Sequence, residues 1–336
     1  MAQLTYRQAV AAALAQEMER DPRVVLLGED ISSGGVFKTT LGLRERFGER
    51  RVRDTPISEQ AIVGAAMGAA MAGLRPVAEI MFSDFYATCW DQVVNEIAKA
   101  RYMTGGQLSL PLVIRGANGG GLGFGSQHSQ AAENWAMCVP GLKIVAPAHP
   151  ADMLGLLAAA IRDDDPVLVF EHKALYGGKA DCPDGEHVVP LGQAALRRTG
   201  NDMTLVGLGL TAGTCERAAD ALAGHGVAAD VLDLRTLVPL DAAAVLASVR
   251  RTGRIVIVEE NPGQLGWGAS IAALVAEEAF HHLVSPVTRV SGGNVPLPVA
   301  APLEAEVSVS PERVVAAALG LLRPATAGST SAPGLT

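Results

Sequence analysis

The sequence is poor in aromatic residues, cysteine and positive charge. Of its 336 residues 4% are aromatic, and the four cysteines, at Cys89, Cys138, Cys182 and Cys215, include no CxxC pair. This spacing argues against a disulfide framework and against a cysteine zinc site, and it predicts reduced thiols in a cytoplasmic protein. The net charge of −8, with no basic stripe to interrupt it, argues against nucleic-acid binding.

Long apolar runs are missing as well. The charge-free stretch Ala61 to Leu74 is too short and too rich in glycine to cross a bilayer. No secretory signal precedes Thr5, and the segment from Thr5 to Arg20 has the pattern of an amphipathic helix. We therefore expect a cytoplasmic protein with no membrane partner.

Strand-like and helix-like segments alternate along the whole chain, which predicts an α/β fold of two open, mostly parallel sheets. We place the first domain at residues 1–180, a linker at 181–200 and the second domain at 201–323. Residues 324–336 have a disordered composition. The predicted helices of the first domain include Phe85 to Arg101, one directly after Gln130, and Ala151 to Arg162.

One junction between a strand and a helix has the features of a ligand site. Asp54-Thr-Pro-Ile-Ser-Glu-Gln leaves a short strand and enters a helix of small residues, which Thr55 or Ser58 is expected to cap. Glu59 then lies at the strand-to-helix mouth, where open α/β sheets bind ligands. By itself Glu59 is either a carboxylate that favours the positive end of a helix dipole, or a catalytic acid kept partly protonated by apolar neighbours.

Glycine in the first domain is concentrated around this junction and in one loop. Gly64 and Gly68, in the helix that follows Glu59, leave room for another backbone to approach closely. The loop Gly116–Gly125 lacks the Lys-Ser/Thr ending of a P-loop and leads to His128. A histidine behind a glycine-rich loop at the end of a parallel strand is a candidate for catalysis, although a lone histidine is usually structural.

A third glycine cluster, Gly207–Gly213, follows a strand, opens a helix and has Asp230 downstream. It resembles a dinucleotide fingerprint, but its spacing is GxGxxxG, and such a turn needs glycine for backbone reasons alone. We interpret it as structural.

Asp163, Asp164 and Asp165 stand together at the end of a predicted helix. Carboxylates at that position face the negative pole of the helix dipole and one another. A bound cation would offset the repulsion, and a solvated turn before Pro166 explains the cluster equally well.

Five segments together resemble one family. These are DTPISEQAIVGAAMGAAMAGLRP, WDQVVNEIAKARYMTGG, QHSQ followed by PGLKIVAP, AAIRDDDPVLVFEHKALYG, and DVLDLRTLVPLD. They are similar to the β subunits of thiamine-diphosphate-dependent 2-oxo acid dehydrogenases, the decarboxylating component of pyruvate, branched-chain 2-oxo acid and acetoin dehydrogenase complexes. The resemblance implies a transketolase-like pyrimidine-binding domain followed by a transketolase C-terminal domain.

The resemblance also implies a set of site residues. Glu59 would hydrogen-bond the aminopyrimidine ring of thiamine diphosphate, and His128 would orient the substrate and supply a proton during transfer to lipoamide. The pyrimidine pocket would be formed by Glu29, Ser58, Glu59, Gln60, Met81 and Phe85. A structural potassium ion would be held, mostly through carbonyls, by Leu112, Ala160, Ile161, Asp163 and Asp165.

The phosphate half of such a site is missing from the chain. Thiamine enzymes hold the magnesium ion of the diphosphate with a Gly-Asp-Gly motif and a later asparagine, and no Gly-Asp-Gly occurs here. The resemblance therefore implies an α subunit that holds the magnesium ion, an α2β2 heterotetramer and a lipoyl acyltransferase core as further partner.

The substrate is left open between three branches. Gln127 before His128 resembles the pyruvate and acetoin branches, while Phe82-Ser-Asp-Phe-Tyr-Ala-Thr-Cys-Trp leans toward acetoin dehydrogenase. We take a pyruvate dehydrogenase-like activity as the first expectation, acetoin as the alternative and a branched-chain 2-oxo acid as the third. Two alternatives belong to other functional classes. One is a self-sufficient transketolase-type enzyme, and the other is a non-catalytic nucleotide-binding scaffold.

Overall fold

A computed structural model describes residues 2–322, which form two α/β domains. The predicted disordered tail, 324–336, lies outside the described residues.

The strands of both domains are short. They are β1 (Ala2–Thr5), β2 (Val24–Gly28), β3 (Val52–Asp54), β4 (Arg75–Phe82), β5 (Val113–Asn118), β6 (Lys143–Val145), β7 (Val167–His172), β8 (Lys179–Cys182), β9 (Ala195–Arg198), β10 (Met203–Gly207), β11 (Ala229–Asp233), β12 (Thr236–Val238), β13 (Ile255–Pro262) and β14 (Thr288–Gly292).

The α-helices cover the faces of the sheets. They are α1 (Tyr6–Arg20), α2 (Leu43–Phe47), α3 (Glu59–Met71), α4 (Ala98–Met103), α5 (Pro150–Arg162), α6 (Leu210–Ala223), α7 (Ala242–Thr252), α8 (Gly268–Glu278), α9 (Ala301–Val307) and α10 (Pro311–Gly320).

The first domain is built on a seven-stranded sheet of order β12-β6-β7-β5-β4-β2-β3. The six strands from the first domain are mutually parallel, and their apolar residues are buried because helices cover both faces. The seventh strand, β12, comes from the second half of the chain and pairs antiparallel with β6. This strand ties the two domains together.

The second domain has a five-stranded sheet of order β14-β13-β10-β11-β9, parallel except for the edge strand β9. A third, two-stranded sheet pairs β1 antiparallel with β8. The expected fold class, two mostly parallel α/β sheets, is confirmed.

Most predicted elements of regular pattern are present. The N-terminal helix runs from Tyr6 to Arg20 behind a capping box, in which Thr5 Oγ1 accepts the backbone N–H of Gln8 and Gln8 Oε1 accepts that of Thr5. No helix of residues 2–322 combines the length and apolarity that a bilayer span requires.

One predicted helix changes type along its length, and another is reduced to a single turn. The segment from Phe85 to Arg101 is a 3₁₀-helix over Ser83–Cys89, a π-helix over Gln92–Ile97 and then α4. The segment after Gln130 holds a single 3₁₀ turn, Trp135–Cys138. Changes of helix type of this kind, and π-helical turns in particular, are frequent at functional sites.

The stretch taken as a linker, 181–200, is not without structure. It contains the end of β8 and the whole of β9, which extends the second sheet. Its composition hid these strands because β9 is a polar edge strand with no apolar run.

Candidate active site

The expected pocket residues are assembled at the carboxyl edge of the first sheet. Glu29 follows β2, Glu59 follows β3 and opens α3, and Met81 is the last residue but one of β4. Phe85 lies in the 3₁₀ turn after β4, and His128 lies in the loop after β5. Strands β3, β2, β4 and β5 are consecutive neighbours in the sheet, so residues far apart in sequence share one edge. This is the edge where parallel sheets bind ligands.

The start of α3 is held differently from the way the sequence suggested. Ser58 is the residue before the helix, with an extended backbone (φ −167°), and its side chain makes no capping hydrogen bond. Thr55 does not cap either: its Oγ1 is buried and has no hydrogen-bond partner. The capping prediction is therefore wrong, and the first N–H groups of α3 have no side-chain cap. Ser58 and Gln60 are exposed, and Glu59 is half-buried.

The carboxylate of Glu59 faces two other titratable groups. Burial raises the pKa of Glu29, and the charge of Glu59 raises it further. Burial also raises the pKa of the Cys89 thiol to about 12, with Glu59 as the next contribution. Glu29 follows β2 and Cys89 ends the 3₁₀ turn after β4, so the charge of Glu59 acts on groups from both elements.

The ring of His128 packs on the aromatic wall of the same pocket. Its centroid lies 4.8 Å from that of Phe82 and 5.3 Å from that of Phe85, with the rings near perpendicular at 87° and 79°. Phe82 and Phe85 are themselves 5.8 Å apart. The structure thus brings together Phe85 and His128, which are separated in the sequence by 43 positions and the strand β5.

A buried ion cluster lies beneath this wall and was not anticipated. The Arg115 guanidinium binds Glu171 through Nε (2.5 Å to Oε1) and Nη2 (2.7 Å to Oε2), and it also contacts Glu79. Tyr176 donates its hydroxyl to Glu171 at 2.9 Å. The sequence did carry a signal, namely a charged residue in the interior of three mainly apolar strands: Glu79 in β4, Arg115 in β5 and Glu171 in β7.

A second buried polar cluster joins the two domains behind the loop that carries His128. Asn118 donates to Glu133 (2.8 Å), and His172 Nε2 lies 3.0 Å from Oε1 of Glu260 in the second domain. Burial raises the pKa of Glu133 to about 7, and the charge of Glu260 adds to that. Burial also lowers the pKa of Lys173 to about 8, and its Nζ has no hydrogen-bond partner.

Comparison with known proteins matches both domains to one family. Residues 2–179 match the model of the transketolase pyrimidine-binding domain, and residues 192–314 match that of the transketolase C-terminal domain. The chain is 42% identical over 320 residues to the 2-oxoisovalerate dehydrogenase subunit beta of Bacillus subtilis (strain 168), covering 94% of this chain and 98% of that one. The chain belongs to this family of transketolase-like dehydrogenase β subunits.

Two further relatives have other substrates in their names. The chain is 41% identical to the acetoin:2,6-dichlorophenolindophenol oxidoreductase subunit beta of Bacillus subtilis (strain 168), covering 95% of this chain and 97% of the relative. It is 44% identical to the pyruvate dehydrogenase E1 component subunit beta of Rickettsia felis (strain ATCC VR-1525 / URRWXCal2), covering 90% and 93%. Identity therefore shows the family and leaves the substrate open.

The fold of this β-subunit family is also found in a solved structure of low identity. A chain described as "Split gene transketolase, inactive beta4 tetramer" superimposes with a TM-score of 0.78 at 24% identity, covering 95% of this chain and 98% of that one. The transketolase-like architecture is confirmed.

The residues expected to hold potassium lie near one another, but basic side chains already bind several of them. Arg75 donates to the carbonyls of Ile161 and Asp163, both at 3.0 Å, and to Asp164 at 2.6 Å. Lys143 binds both carboxylate oxygens of Asp163 at 2.7 Å. The charge repulsion that favoured a cation is thus offset within the protein.

The remaining members of that set are also bonded. Arg101 binds Asp165, and although burial raises the pKa of Asp165, the hydrogen bonds and charges of Arg101 and Lys143 outweigh it and lower the pKa overall. The carbonyls of Leu112 and Ala160 accept backbone N–H groups at 2.9 and 3.3 Å. These oxygen atoms are therefore already hydrogen-bonded, and no potassium role is derived from them.

The GxGxxxG turn of this β subunit has a packing explanation. A Cβ on Gly207 would meet the backbone of Ala212 at 2.6 Å, and Gly209 has a left-handed φ of 55°. Asp230 is fully buried and bonds Ser248 at 2.5 Å and the Gly200 N–H at 2.8 Å. Its carboxylate is therefore engaged in hydrogen bonds inside the second domain and is not free to bind the ribose of a dinucleotide.

Proposed function

We propose that the chain is the β subunit of a thiamine-diphosphate-dependent 2-oxo acid dehydrogenase. With an α subunit it would catalyse oxidative decarboxylation of a 2-oxo acid and reductive acylation of a lipoyl group. The observation that carries this proposal is the convergence of Glu29, Glu59, Phe85 and His128 at one sheet edge. These are the residues that the family resemblance assigns to the cofactor and to acyl transfer.

The pocket has the groups that an aminopyrimidine ring requires. Glu59 offers a carboxyl group at the open end of α3, Phe85 offers an aromatic face, and Glu29 and Met81 flank them. Thr55 Oγ1, buried without a partner beside this mouth, is a polar atom that a ligand can satisfy. The residues present therefore fit thiamine diphosphate, which supplies, when bound, the nucleophilic carbon for cleaving the bond beside a carbonyl group.

Two side chains have distinct tasks in the proposed reaction. Glu59 would hydrogen-bond the pyrimidine nitrogen through its carboxyl group, which stands at the first position of α3. His128 orients the substrate and delivers a proton during acyl transfer. Its ring contacts with Phe82 and Phe85, the aromatic wall proposed to pack against the pyrimidine, support this role.

The α subunit is proposed to cover the exposed face of α3 and to hold the magnesium ion. A Cβ on Gly64 or Gly68 would have no atom within 4 Å, and Ile57 at the start of the helix is 82% exposed. An apolar, small-residue face of this kind accommodates a partner helix closely. The α2β2 assembly and the acyltransferase core are part of the same proposal.

The substrate of the complex is proposed to be pyruvate, with acetoin as alternative and a branched-chain 2-oxo acid as third candidate. Gln127 supports the first two, and the segment Phe82 to Trp90 supports acetoin.

Reconstitution with the α subunit tests the proposed function. We expect turnover of one of pyruvate, acetoin or 2-oxoisovalerate by the mixture and none by either chain alone. Gly68→Leu should prevent co-purification with the α subunit, whereas Gly320→Leu should not, although both glycines are helical and have open space around them. A mixture inactive on all three substrates, or undisturbed assembly of Gly68→Leu, would contradict the proposal.

Potassium binding at Leu112, Ala160, Ile161, Asp163 and Asp165 and a cytoplasmic location both stay predictions. Arg75, Lys143 and Arg101 form ion pairs with the three aspartates, so repulsion between these carboxylates is a weaker reason to expect a bound ion.

A further inference from the structure

The loop that carries His128 is held from the second domain. It leaves β5 at Asn118 and begins a run of glycines at Gly119. Glycine-rich backbone has many accessible conformations, so such a loop needs external contacts to present a side chain in one place. Three carboxylates supply these contacts.

Glu304, on α9 of the second domain, grips the middle of the loop. Its Oε1 accepts the backbone N–H of Gly121 at 2.7 Å, and its Oε2 accepts that of Gly123 at 3.0 Å. The Glu304 side chain is 5% exposed, so these charge-assisted hydrogen bonds are shielded from water. In the sequence, Gly121 and Gly123 lie 183 and 181 positions before Glu304.

The same domain also holds the start of the loop. Glu260, at the end of β13, accepts the backbone N–H of Gly120 and pairs with His172 at 2.9 Å. The ring of His172 lies where a Cβ on Gly119 would be, at 1.9 Å from that position. The base of the loop is therefore packed against a pair that spans both domains.

The far end of the loop is fixed within the first domain. Asp84 Oδ1 accepts the backbone N–H of Gln130 at 3.1 Å and its side-chain amide at 2.9 Å. A Cβ on Gly125 would come within 2.8 Å of Val299 from the second domain. His128 thus lies between the contacts that Glu260 and Glu304 make from the second domain and the contact that Asp84 makes within the first.

We propose that Glu304 is a positioning residue that sets His128 for acyl transfer by holding the Gly121 and Gly123 N–H groups. The proposal rests on the proposed function and extends it, since it gives the C-terminal domain a part in the reaction as well as in assembly. Glu304 touches neither cofactor nor substrate in this scheme. It acts through the loop.

Amide hydrogen exchange of the reconstituted complex tests the hold on the loop. Glu304→Ala should raise the exchange rate of residues 119–130 by about 10- to 100-fold, because two buried charge-assisted hydrogen bonds are lost. Glu304→Gln keeps an oxygen that can accept one N–H and should lie between Glu304→Ala and the unaltered complex. Glu306→Gln, an exposed change on the same helix, is the matched control and should leave exchange unchanged.

A kinetic double-mutant cycle with His128→Ala tests whether the hold works through the histidine. Glu304→Ala should lower kcat for transfer to lipoamide while leaving thiamine diphosphate affinity and KM near those of the unaltered complex. In the His128→Ala background the same change should have no further effect on transfer.

Either of two results overturns the inference alone: unchanged loop exchange in Glu304→Ala, or additive losses of transfer in the double variant. Loss of cofactor affinity in Glu304→Ala, with Glu306→Gln normal, would also overturn it, because that result shows a structural role for the whole pocket. A complex without turnover in unaltered form fails the proposed function, and the role of Glu304 falls with it.

Discussion

Glu133 provides a sharp test of the buried polar cluster between the domains. It is 4% exposed and accepts one hydrogen bond from Asn118. Burial, and then the charge of Glu260, raise its pKa from the ordinary 4.5 to about 7. A glutamine at this position imitates the protonated acid in size and hydrogen bonding, so Glu133→Gln removes the titration with little change in packing.

The sign of the effect follows from proton binding. Between pH 4.5 and about 7 the folded chain holds the Glu133 proton while the unfolded chain has lost it, so stability falls as the pH rises through this window. At about 1.4 kcal/mol per pKa unit, the full effect is about 3 kcal/mol. As the pH rises from ~5 to ~8, the free energy of unfolding of Glu133→Gln should therefore increase by about 3 kcal/mol relative to that of the parent.

Urea denaturation at a series of pH values measures this difference. All other carboxyl groups titrate in both proteins, so subtraction isolates Glu133. The exposed change Glu306→Gln should give a difference that stays flat with pH. A flat difference for Glu133→Gln as well would refute the assignment of a raised pKa to a buried, weakly compensated carboxyl.

Three further predictions concern the proposed site. Glu59→Gln should nearly abolish hydrogen–deuterium exchange at C2 of bound thiamine diphosphate while the fold is kept, since only the acidic proton is lost; exchange at the parental rate would reject the role. His128→Ala should impair transfer to lipoamide more than cofactor affinity, and a loss of affinity with transfer intact would argue the reverse. If a potassium ion binds at Asp163 and Asp165, the melting temperature should be higher in potassium than in choline at equal ionic strength. Superimposable melting curves would show that Arg75 and the neighbouring basic side chains complete that site.

The fold was readable from the sequence because its strands are apolar runs bounded by helices of clear period. β2, β7 and β10 are almost wholly buried, as strands covered by helices on both faces are. β1, β8, β9 and β12 were missed because each is a short strand whose existence depends on a partner distant in sequence. Such pairing is decided by tertiary contacts, which a local pattern does not contain.

The candidate site was readable in part for the same reason. Glu59 stands at a strand-to-helix junction, and that position marks it in the sequence. The hold of Glu304 on the glycine loop was not foreseen, because it joins residues more than half the chain apart. The failure of Thr55 and Ser58 to cap α3 is a local rule broken beside the pocket, and such exceptions are expected at functional sites.

The central claim is that this chain provides the pyrimidine-binding half of a cofactor site and needs an α subunit to provide the diphosphate-binding half. Titration calorimetry with magnesium and thiamine diphosphate tests it most directly. The account predicts no tight binding to the purified chain, and tight binding once the α subunit is added, lost again in Glu59→Ala. Tight binding and turnover by this chain alone would contradict it.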